Sequence, residues 1–420
     1  MRKRLVTALV VLAVLAAACG DDDDPPTVGE GAEDTGKVGA QTLPIRVDAK
    51  TTPFATSWIH YFPSKVTARP GDSLEFTAEF TGESHTVAAG TLVDEVLEAE
   101  KKVDPEAKGP PPPELEALFK KLPKTFIEGD PKEGEEFLQQ PGNQPCYSAT
   151  EDPSTDKPCA VQELPEEFTG KARFINTGYM EDEDTFKIKL ADDLKTGTYT
   201  FTCAVHGPEM TEEVTVVAKS ADIPTAEEVK AAGEKELGDF MAKLKPAADE
   251  VLTSIDPKSA KAGAFFESEE EIPNAGVNVF PTELPVKKGG SVTWEVNGFH
   301  SISFNAPEDA RPWILRADDG TVSSNKKTFA PANSPKIPAP PAPPEGEGGG
   351  EGGGEGGGGE EGPPPQVKVD GGKWDGKGFM SSGIPLSEAQ LVYTRTFTEA
   401  GTYKYICLVH PDMEGTVKVT

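Results

Sequence analysis

Two short loops, one late in each half of the chain, constrain the fold more than any other feature. They read Cys203-Ala-Val-His206-Gly-Pro-Glu-Met210 and Cys407-Leu-Val-His410-Pro-Asp-Met413. Each loop follows a segment of the form Gly-Thr-Tyr-x-aromatic-x-Cys, which is typical of a β-strand that ends at the cysteine. A thiolate, an imidazole and a thioether within one loop suit copper, above all a trigonal Cys/His/His site with a weak axial methionine. The alternative, buried packing residues, does not account for the same motif after the same strand twice.

Each loop supplies three ligands and therefore needs a second histidine from elsewhere. The chain has five histidines, and His85 and His300 occupy equivalent positions upstream of the two loops. The fifth, His60, is expected to pack in the core or lie at the surface rather than bind metal. The predicted copper ligands are His85, Cys203, His206 and Met210 at the first site, and His300, Cys407, His410 and Met413 at the second.

The chain also contains an internal repeat. Residues 62–76 match residues 280–294, including a glycine that would lie in the turn between two strands. After this turn, apolar residues alternate with polar ones in both copies, which indicates a half-buried strand. Short strands separated by turn residues, without regularly alternating helices, predict a mainly β protein with two Greek-key β-sandwich domains.

Other segments interrupt or join the two sandwiches. Thr225-Ala-Glu-Glu228 is a capping box, and apolar residues follow it at helical spacing until Pro246, which should kink or end the helix. The first insertion carries two helical stripes, whereas residues 338–365 are nearly all Pro, Gly and Glu and predict disorder. The predicted organisation is a first domain at 43–219 with an insertion at 91–170, a helical linker at 220–262, and a second domain at 263–420 with a disordered insertion at 308–368.

The N-terminus predicts export. Arg2-Lys3-Arg4, an apolar run and small residues up to Ala18 form a signal peptide over residues 1–18. Cys19 follows directly, as in a bacterial lipobox, and would carry lipid; cleavage by an ordinary signal peptidase is the alternative. Residues 19–42 would form a disordered tether. We therefore expect a protein of the cell envelope, lipid-anchored on the outer face of a membrane, or otherwise soluble in the periplasm or secreted.

The chain is strongly acidic. Its net charge is −30, and cleavage after Ala18 removes three basic residues, which leaves 38 basic against 71 acidic residues, or −33. This charge argues against nucleic acid and anionic lipid surfaces as partners. It favours solubility, and it also suits a redox partner protein with a basic face.

Two cysteines are not accounted for by the copper sites or by the lipobox. Cys146 and Cys159 lie in one Pro-rich, polar stretch of an exported protein, which favours a disulfide between them. Two free thiols and an additional soft-metal site are the alternatives.

In its loops and strands the chain resembles the cupredoxins, the plastocyanin and azurin family of blue copper proteins, in a tandem form of bacterial lipoprotein type. The resemblance covers about residues 55–80 and 170–217 in the first half, and about 275–305 and 378–420 in the second. It implies two type-1 copper sites with the ligands given above, and one-electron transfer. It also implies that the loop histidines, His206 and His410, lie near the surface and are the points where electrons enter or leave.

Two features depart from the pattern of that family. Thr211-Glu212-Glu213 follows the first loop without a glycine, whereas Glu414-Gly415 follows the second. Glu83 stands two residues before His85, and its charge is expected to change the potential or lower the occupancy of the first site.

Two other functions compete with electron transfer. Copper storage or delivery without a redox role is the alternative that the same ligands allow. A copper enzyme such as a nitrite reductase or laccase needs additional histidines, usually as His-x-His pairs, and the sequence contains no such pair. We therefore expect that the protein is not an enzyme.

Overall fold

The first sandwich consists of short strands connected by turns. The structure, a computed structural model, describes residues 39–103, 111–123, 141–153, 159, 163–266, 272–318, 320–329, 334–335, 337, 365–384 and 390–420. Elements of the first half are β1 (Thr42–Val47), β2 (Thr56–Trp58), β3 (Tyr61–Phe62), β4 (Lys65–Ala68), β5 (Ser73–Ala78), β6 (Ala88–Ala89), α1 (Thr91–Glu100), α2 (Pro113–Phe119), β7 (Cys146–Ser148), β8 (Glu167–Phe168), β9 (Phe174–Asn176), β10 (Thr185–Leu190), β11 (Gly197–Cys203) and β12 (Gly207–Val216).

Two sheets face each other in this half. One has the strand order β3-β1-β5-β10-β8, and the other has the order β4-β12-β11-β6-β9-β7. Every second residue of β1 and β5 is buried, because successive side chains of a strand point to opposite faces of the sheet. Phe76 from one sheet meets Phe201 from the other with ring centroids 5.4 Å apart, so the core lies between the sheets.

The first insertion is tied to the sandwich at both ends. Helices α1 and α2 lie where the two helical stripes predicted them, and α1 buries Leu92, Val93 and Val96. β7 and β8 extend the edges of the two sheets, so the insertion adds strands as well as helices. Cys146 and Cys159 are joined by a disulfide that spans 13 positions of the chain.

One long helix, α3 (Ala226–Leu252), follows the first sandwich. Its N-terminus has the capping box, with Thr225 accepting from the Glu228 backbone and Glu228 accepting from the Thr225 backbone. The sequence predicts that Pro246 kinks or ends the helix; it does not end it, since the helix continues through Pro246 to Leu252. Proline removes one backbone hydrogen bond, but buried neighbours such as Leu244 pack into a shared core and keep the helix together.

The second half repeats the architecture of the first. Its elements are β13 (Ala260–Ala262), β14 (Ala264–Phe266), β15 (Ala275–Val277), β16 (Leu284–Val286), β17 (Ser291–Val296), β18 (Ser303–Phe304), β19 (Ile314–Arg316), β20 (Val322–Ser324), α4 (Lys326–Phe329), β21 (Gln366–Trp374), β22 (Met380–Ser381), β23 (Gln390–Phe397), β24 (Gly401–Ile406) and β25 (Glu414–Val419). The sheet β13-β17-β23-β21 faces the sheet β16-β25-β24-β18-β22. Trp294 and Tyr405 meet between them, with ring centroids 5.4 Å apart. The predicted class, mainly β with two sandwich domains joined by a helix, is confirmed.

Part of the second insertion forms regular secondary structure. β19 and β20 pair as an antiparallel hairpin, and α4 follows. The expectation of disorder across the whole of 308–368 is therefore wrong for residues 308–329, where apolar side chains such as Trp313 and Ile314 are buried in the core of the second sandwich. The run of Pro, Gly and Glu at 338–364 lies outside the described residues.

A third sheet connects the two halves, which belong to one unit, Ala40–Thr420. In this sheet β2 of the first half pairs with β15, and β15 pairs with β14. α3 covers the sheet and shares a core with it that includes Trp58 and Val277. β1 begins at Thr42, the last residue of the expected tether. β13 pairs with β17 and so belongs to the second sandwich rather than to the linker. No helix in the described ranges is long and apolar enough to cross a membrane.

Helix α3 offers a matched test of its packing. A Cβ on Gly233 would lie 2.8 Å from the backbone of Phe62 and Pro63, whereas a Cβ on Gly238 would meet nothing within 4 Å. Gly238→Ala should stabilise the protein by about 0.5–1 kcal/mol through helix propensity. Gly233→Ala should instead destabilise it by about 1–3 kcal/mol through overpacking. Denaturation midpoints of the full chain check this, and equal increases for both variants would contradict the packing of α3 against β3.

Candidate metal centres

Each candidate centre is assembled from an upstream loop and the end of a strand. In the first sandwich, His85 lies between β5 and β6, and Cys203 is the last residue of β11. His206 lies in the turn that follows, and Met210 occupies a fully buried, inward-facing position of β12. The sandwich thus brings residues that are far apart in sequence to one end of its core.

The first centre gathers three donor atoms. One ligand atom each of His85, Cys203 and His206 lies within 4.8 Å of the other two. The Nδ1 atoms of both histidines are buried and have no hydrogen-bond partner. A buried nitrogen without a partner costs free energy unless another group binds it, so these residues fit a metal ion.

Asp48 orients the first of these histidines. His85 Nε2 donates to Asp48 Oδ2 at 3.1 Å, which leaves Nδ1 as the ring atom available to a metal. Asp48 is itself fixed, because its other oxygen accepts the backbone N–H groups of Ala49 and Trp58 at 2.6 and 2.8 Å. Burial alone would lower the pKa of His85, but the hydrogen bond to Asp48 and the negative charges of Asp48 and Cys203 raise this pKa to about 10.

Thr86 holds the sulfur and the loop together. Its backbone N–H donates to Cys203 Sγ at 3.3 Å, and its hydroxyl accepts from the backbone N–H of Ala204 at 2.7 Å. Burial raises the pKa of Cys203, but the His206 and His85 imidazoles outweigh it and hold this pKa well below its usual range. The thiolate is the form that binds metals.

The second centre has the same set of donor residues, and its three donor atoms all lie close to one another. The Nδ1 atoms of His300 and His410 lie 2.9 Å apart, and Cys407 Sγ lies 4.0 Å from the first and 3.5 Å from the second. These three atoms could hold one metal ion, since bonds of about 2.0 Å to nitrogen and about 2.3 Å to sulfur allow donor separations of up to about 4.0 and 4.3 Å.

The sulfur at the second centre has the same kind of support as at the first. The backbone N–H groups of Ser301 and Val409 donate to Cys407 Sγ, each at 3.4 Å, and the Ser301 hydroxyl accepts from Leu408 at 2.9 Å. Burial raises the pKa of Cys407, and the two imidazoles outweigh this and hold the pKa well below its usual range. In both halves a hydroxyl residue, Thr86 or Ser301, directly follows the upstream histidine, so this support has a signal in the sequence.

The two methionines close the loops. Met413 is fully buried, and its carbonyl accepts from the backbone N–H of Cys407 at 3.0 Å. In the first centre the Thr202 hydroxyl donates to the Met210 carbonyl at 3.0 Å. Arg311, from the second insertion, donates to the carbonyls of Pro411, at 3.3 Å, and Cys407 and so clamps the second loop.

The absent glycine of the first loop has a structural consequence. In the second half, Gly415 pairs with Tyr405, whose ring occupies the space where a Cβ would point, at 2.5 Å. In the first half, Glu212 pairs with Phe201, is fully buried, and has no hydrogen-bond partner for either carboxyl oxygen. Burial raises the pKa of Glu212 well above its usual range, so the inner end of this strand carries a neutral acid.

The two loop histidines differ in exposure. His206 is half-buried, as are the residues on either side of it. His410 is only 1% exposed, so the expectation that it lies near the surface is wrong. Glu83 is closer to the second centre than its sequence position suggested, with Oε1 3.7 Å from His410 Nε2. Burial raises the pKa of Glu83, but His410, His206 and His85 outweigh it and lower the pKa to about 2.

The remaining predicted residues lie elsewhere. His60 Nε2 contacts Glu236 Oε1 at 3.0 Å, and its ring packs on Phe62 and Phe240, as expected of a packed histidine. Cys19 lies outside the described residues. The sequence alone does not identify Asp48 and Arg311 as residues of these centres. Each reaches its centre from a distant segment, and nothing in the local sequence marks either of them.

Asp48 can be tested through the first centre alone. In Asp48→Asn, the side-chain amide would face the Nε2–H of His85 with another donor, or turn and lose its bonds to Ala49 and Trp58. Copper affinity at the first centre should then fall by about 10- to 100-fold, with the second centre unchanged. Copper titrations measure this. Asp72→Asn is the control, since Asp72 is a buried acid that accepts backbone N–H groups away from both centres. An equal loss in that variant would contradict the role of Asp48.

The known proteins to which this chain is similar are distant from it in sequence. Neither a protein-family model nor a curated protein matches the chain. Among solved structures, it is similar to a reduced auracyanin from Roseiflexus castenholzii (15% identity, 43% of this chain and 98% of that one, TM-score 0.19). It is also similar to a blue copper oxidase from Nitrosomonas europaea (10% identity, 90% and 86%, TM-score 0.19) and a copper-containing nitrite reductase from Thermus scotoductus SA-01 (10% identity, 91% and 68%, TM-score 0.18).

Proposed function

We propose that the protein is an exported electron-transfer protein of the cupredoxin type, with one type-1 copper site in each sandwich. One observation carries this proposal: two clusters of the same composition, each a buried cysteine with two histidines, stand at the same place in two repeated domains. The ligands would be His85, Cys203, His206 and Met210 at the first site, and His300, Cys407, His410 and Met413 at the second.

The surrounding protein suits rapid electron exchange. Copper would supply a one-electron couple between Cu(I) and Cu(II). Backbone N–H groups hold each sulfur, and the hydroxyl of Thr86 or Ser301 fixes the loop beside it. Both cysteines are fully buried, so water is kept from the sulfur. These contacts would hold the donor atoms in place around a bound copper, which would limit the rearrangement that electron transfer requires.

The histidines favour electron transfer over copper enzymology. All five lie in the described ranges; four form the two clusters, and His60 is bound to Glu236. A catalytic copper next to a type-1 site would need further imidazoles. Copper storage or delivery without redox cycling remains the alternative, and it would not require the strong thiolate absorption of a type-1 site.

The site of action is proposed from the N-terminal sequence. A lipidated Cys19 would anchor the protein at the outer face of a membrane, since the two acyl chains of such a cysteine suffice for stable attachment. The net charge of the mature chain suits a redox partner protein with a basic face.

Single-site variants test the copper assignment. Cys407→Ser and Cys203→Ser each remove the only thiolate of one site. Each variant should therefore bind one copper instead of two and lose about half of the blue absorption. Metal analysis and the visible spectrum of the copper-loaded protein measure both quantities.

Each variant is the control for the other, because the site that it leaves intact should keep its spectrum. Undiminished absorption in either variant would contradict the corresponding site. Two bound coppers without blue absorption in the unaltered protein would favour storage or delivery, and consumption of nitrite or dioxygen by the loaded protein would favour an enzyme.

Lipid attachment is tested at Cys19. Cys19→Ala should move the protein from the membrane fraction to the soluble fraction, and the unaltered protein should show a diacylated N-terminal peptide by mass spectrometry. Continued membrane association of the variant would contradict the lipid anchor.

A further inference from the structure

The second centre is closed off by the first sandwich. In the first loop, residues 204–208 are half-buried, whereas Leu408, Val409 and His410 of the second loop are all buried. The structure therefore leaves the two centres with unequal access to solvent, although their donor sets are the same.

The cover over His410 comes from the backbone of Gly82. A Cβ on Gly82 would lie 2.2 Å from His410 Cδ2, so the imidazole ring rests directly on this glycine. Gly82 has φ of 129°, a conformation that residues with a side chain rarely adopt. Only glycine permits such an approach between backbone and ring at this point.

The same segment leads to the first centre. Gly82 is followed by Glu83, Ser84 and His85, so three peptide units separate the residue under His410 from a ligand of the other site. The Glu83 carboxylate lies 3.7 Å from His410 Nε2 and is 29% exposed, so it lines the same contact. The backbone from Gly82 to His85 is thus a covalent path from the first centre that ends in a packing contact with His410 of the second.

The inserted hairpin of the second sandwich holds this contact in place. Trp313 Nε1 donates to the carbonyl of Gly82 at 2.7 Å. Farther along, the side chain of Gln144 exchanges two hydrogen bonds with the Val322 backbone, both at 2.9 Å, and Arg316 binds Glu181 at 2.8 Å. The second insertion therefore fixes the first sandwich against the second beside the two centres.

We propose that the segment Gly82–His85 conducts electrons between the two centres, and that the second centre exchanges electrons with outside reagents through the first. This inference rests on the proposed function. In each transfer one electron leaves one centre, which becomes oxidised, and reaches the other centre, which becomes reduced. No bond forms or breaks, and no proton is required. His206 is the outer terminus of this path and His410 the inner one.

Accessibility can be tested without copper. In the metal-free full chain, diethyl pyrocarbonate should modify His206 before His410, as followed by peptide mass spectrometry. Faster modification of His410 would overturn the assignment of the inner and outer ends.

The path itself is tested with hexaammineruthenium(II) in excess as the one-electron reductant and the blue absorption as the readout. In Cys203→Ser, which retains only the second centre, reduction of that centre should be at least about tenfold slower than in the unaltered protein, or roughly 1.4 kcal/mol in activation free energy. In Cys407→Ser the first centre should be reduced as fast as in the unaltered protein. Equal rates for the second centre with and without the first would overturn the proposal.

Gly82→Ala separates conduction from simple shielding. The added methyl must push the His410 ring away from the backbone, so reduction of the second centre should slow when the first centre is present. In the Cys203→Ser background the same substitution loosens the cover and should leave direct reduction equal or faster. A change in the same direction in both backgrounds would mean that Gly82 only shields His410.

Two further variants control for backbone strain and loss of folding. Gly289→Ala places a methyl at another positive φ, 83°, with nothing within 4 Å, and should not alter the rates. Trp313→Phe keeps a ring but removes the bond to the Gly82 carbonyl, and should slow reduction of the second centre even if Gly82→Ala does not fold. Unchanged rates in Trp313→Phe would contradict the hold of the hairpin on the path. Absence of blue absorption in the unaltered protein would instead refute the proposed function.

Discussion

A histidine ring that packs on a bare backbone segment joins the two halves of this protein at their metal centres. His410 rests on Gly82, and the carbonyl of Gly82 accepts from Trp313 of the inserted hairpin. A ring in van der Waals contact with backbone leaves no room for water, so the centre of the second sandwich is covered by the surface of the first. The shared sheet and α3 hold the domains together away from the centres, and the hairpin does so beside them.

Each centre shows how a rigid sandwich prepares donor atoms before a metal arrives. Asp48 accepts from His85 Nε2, and this leaves Nδ1 without a hydrogen-bond partner in the protein. Thr86 and Ser301 occupy equivalent positions in the two halves, and each donates its backbone N–H to the cysteine sulfur of its centre. Because buried donors without partners are costly, the folded chain keeps them in place only through these outer contacts, and the cost is relieved when a metal binds.

The two halves nevertheless differ in ways that should separate their properties. The first centre has a partly exposed loop, a buried neutral acid at Glu212 and a carboxylate partner for its upstream histidine. The second centre has Gly415 under Tyr405, an arginine clamp on its loop and a closed outer face. Charge and solvent exposure around a metal tune its potential, so similar donor sets in such different surroundings are suited to different potentials.

Sequence alone determined the local features of this protein. Residue spacing predicts the strand periods and the capping box of α3. It also groups His85 and His300 with the two loops, because a strand end and a short turn impose their geometry locally. Only the tertiary structure decided which residues support the donors and which surface each centre faces. Asp48, Arg311, Trp313 and the burial of His410 depend on contacts between segments more than 30 residues apart. Pro246 and the ordered hairpin show the same limit, since tertiary packing outweighed a local signal against regular structure.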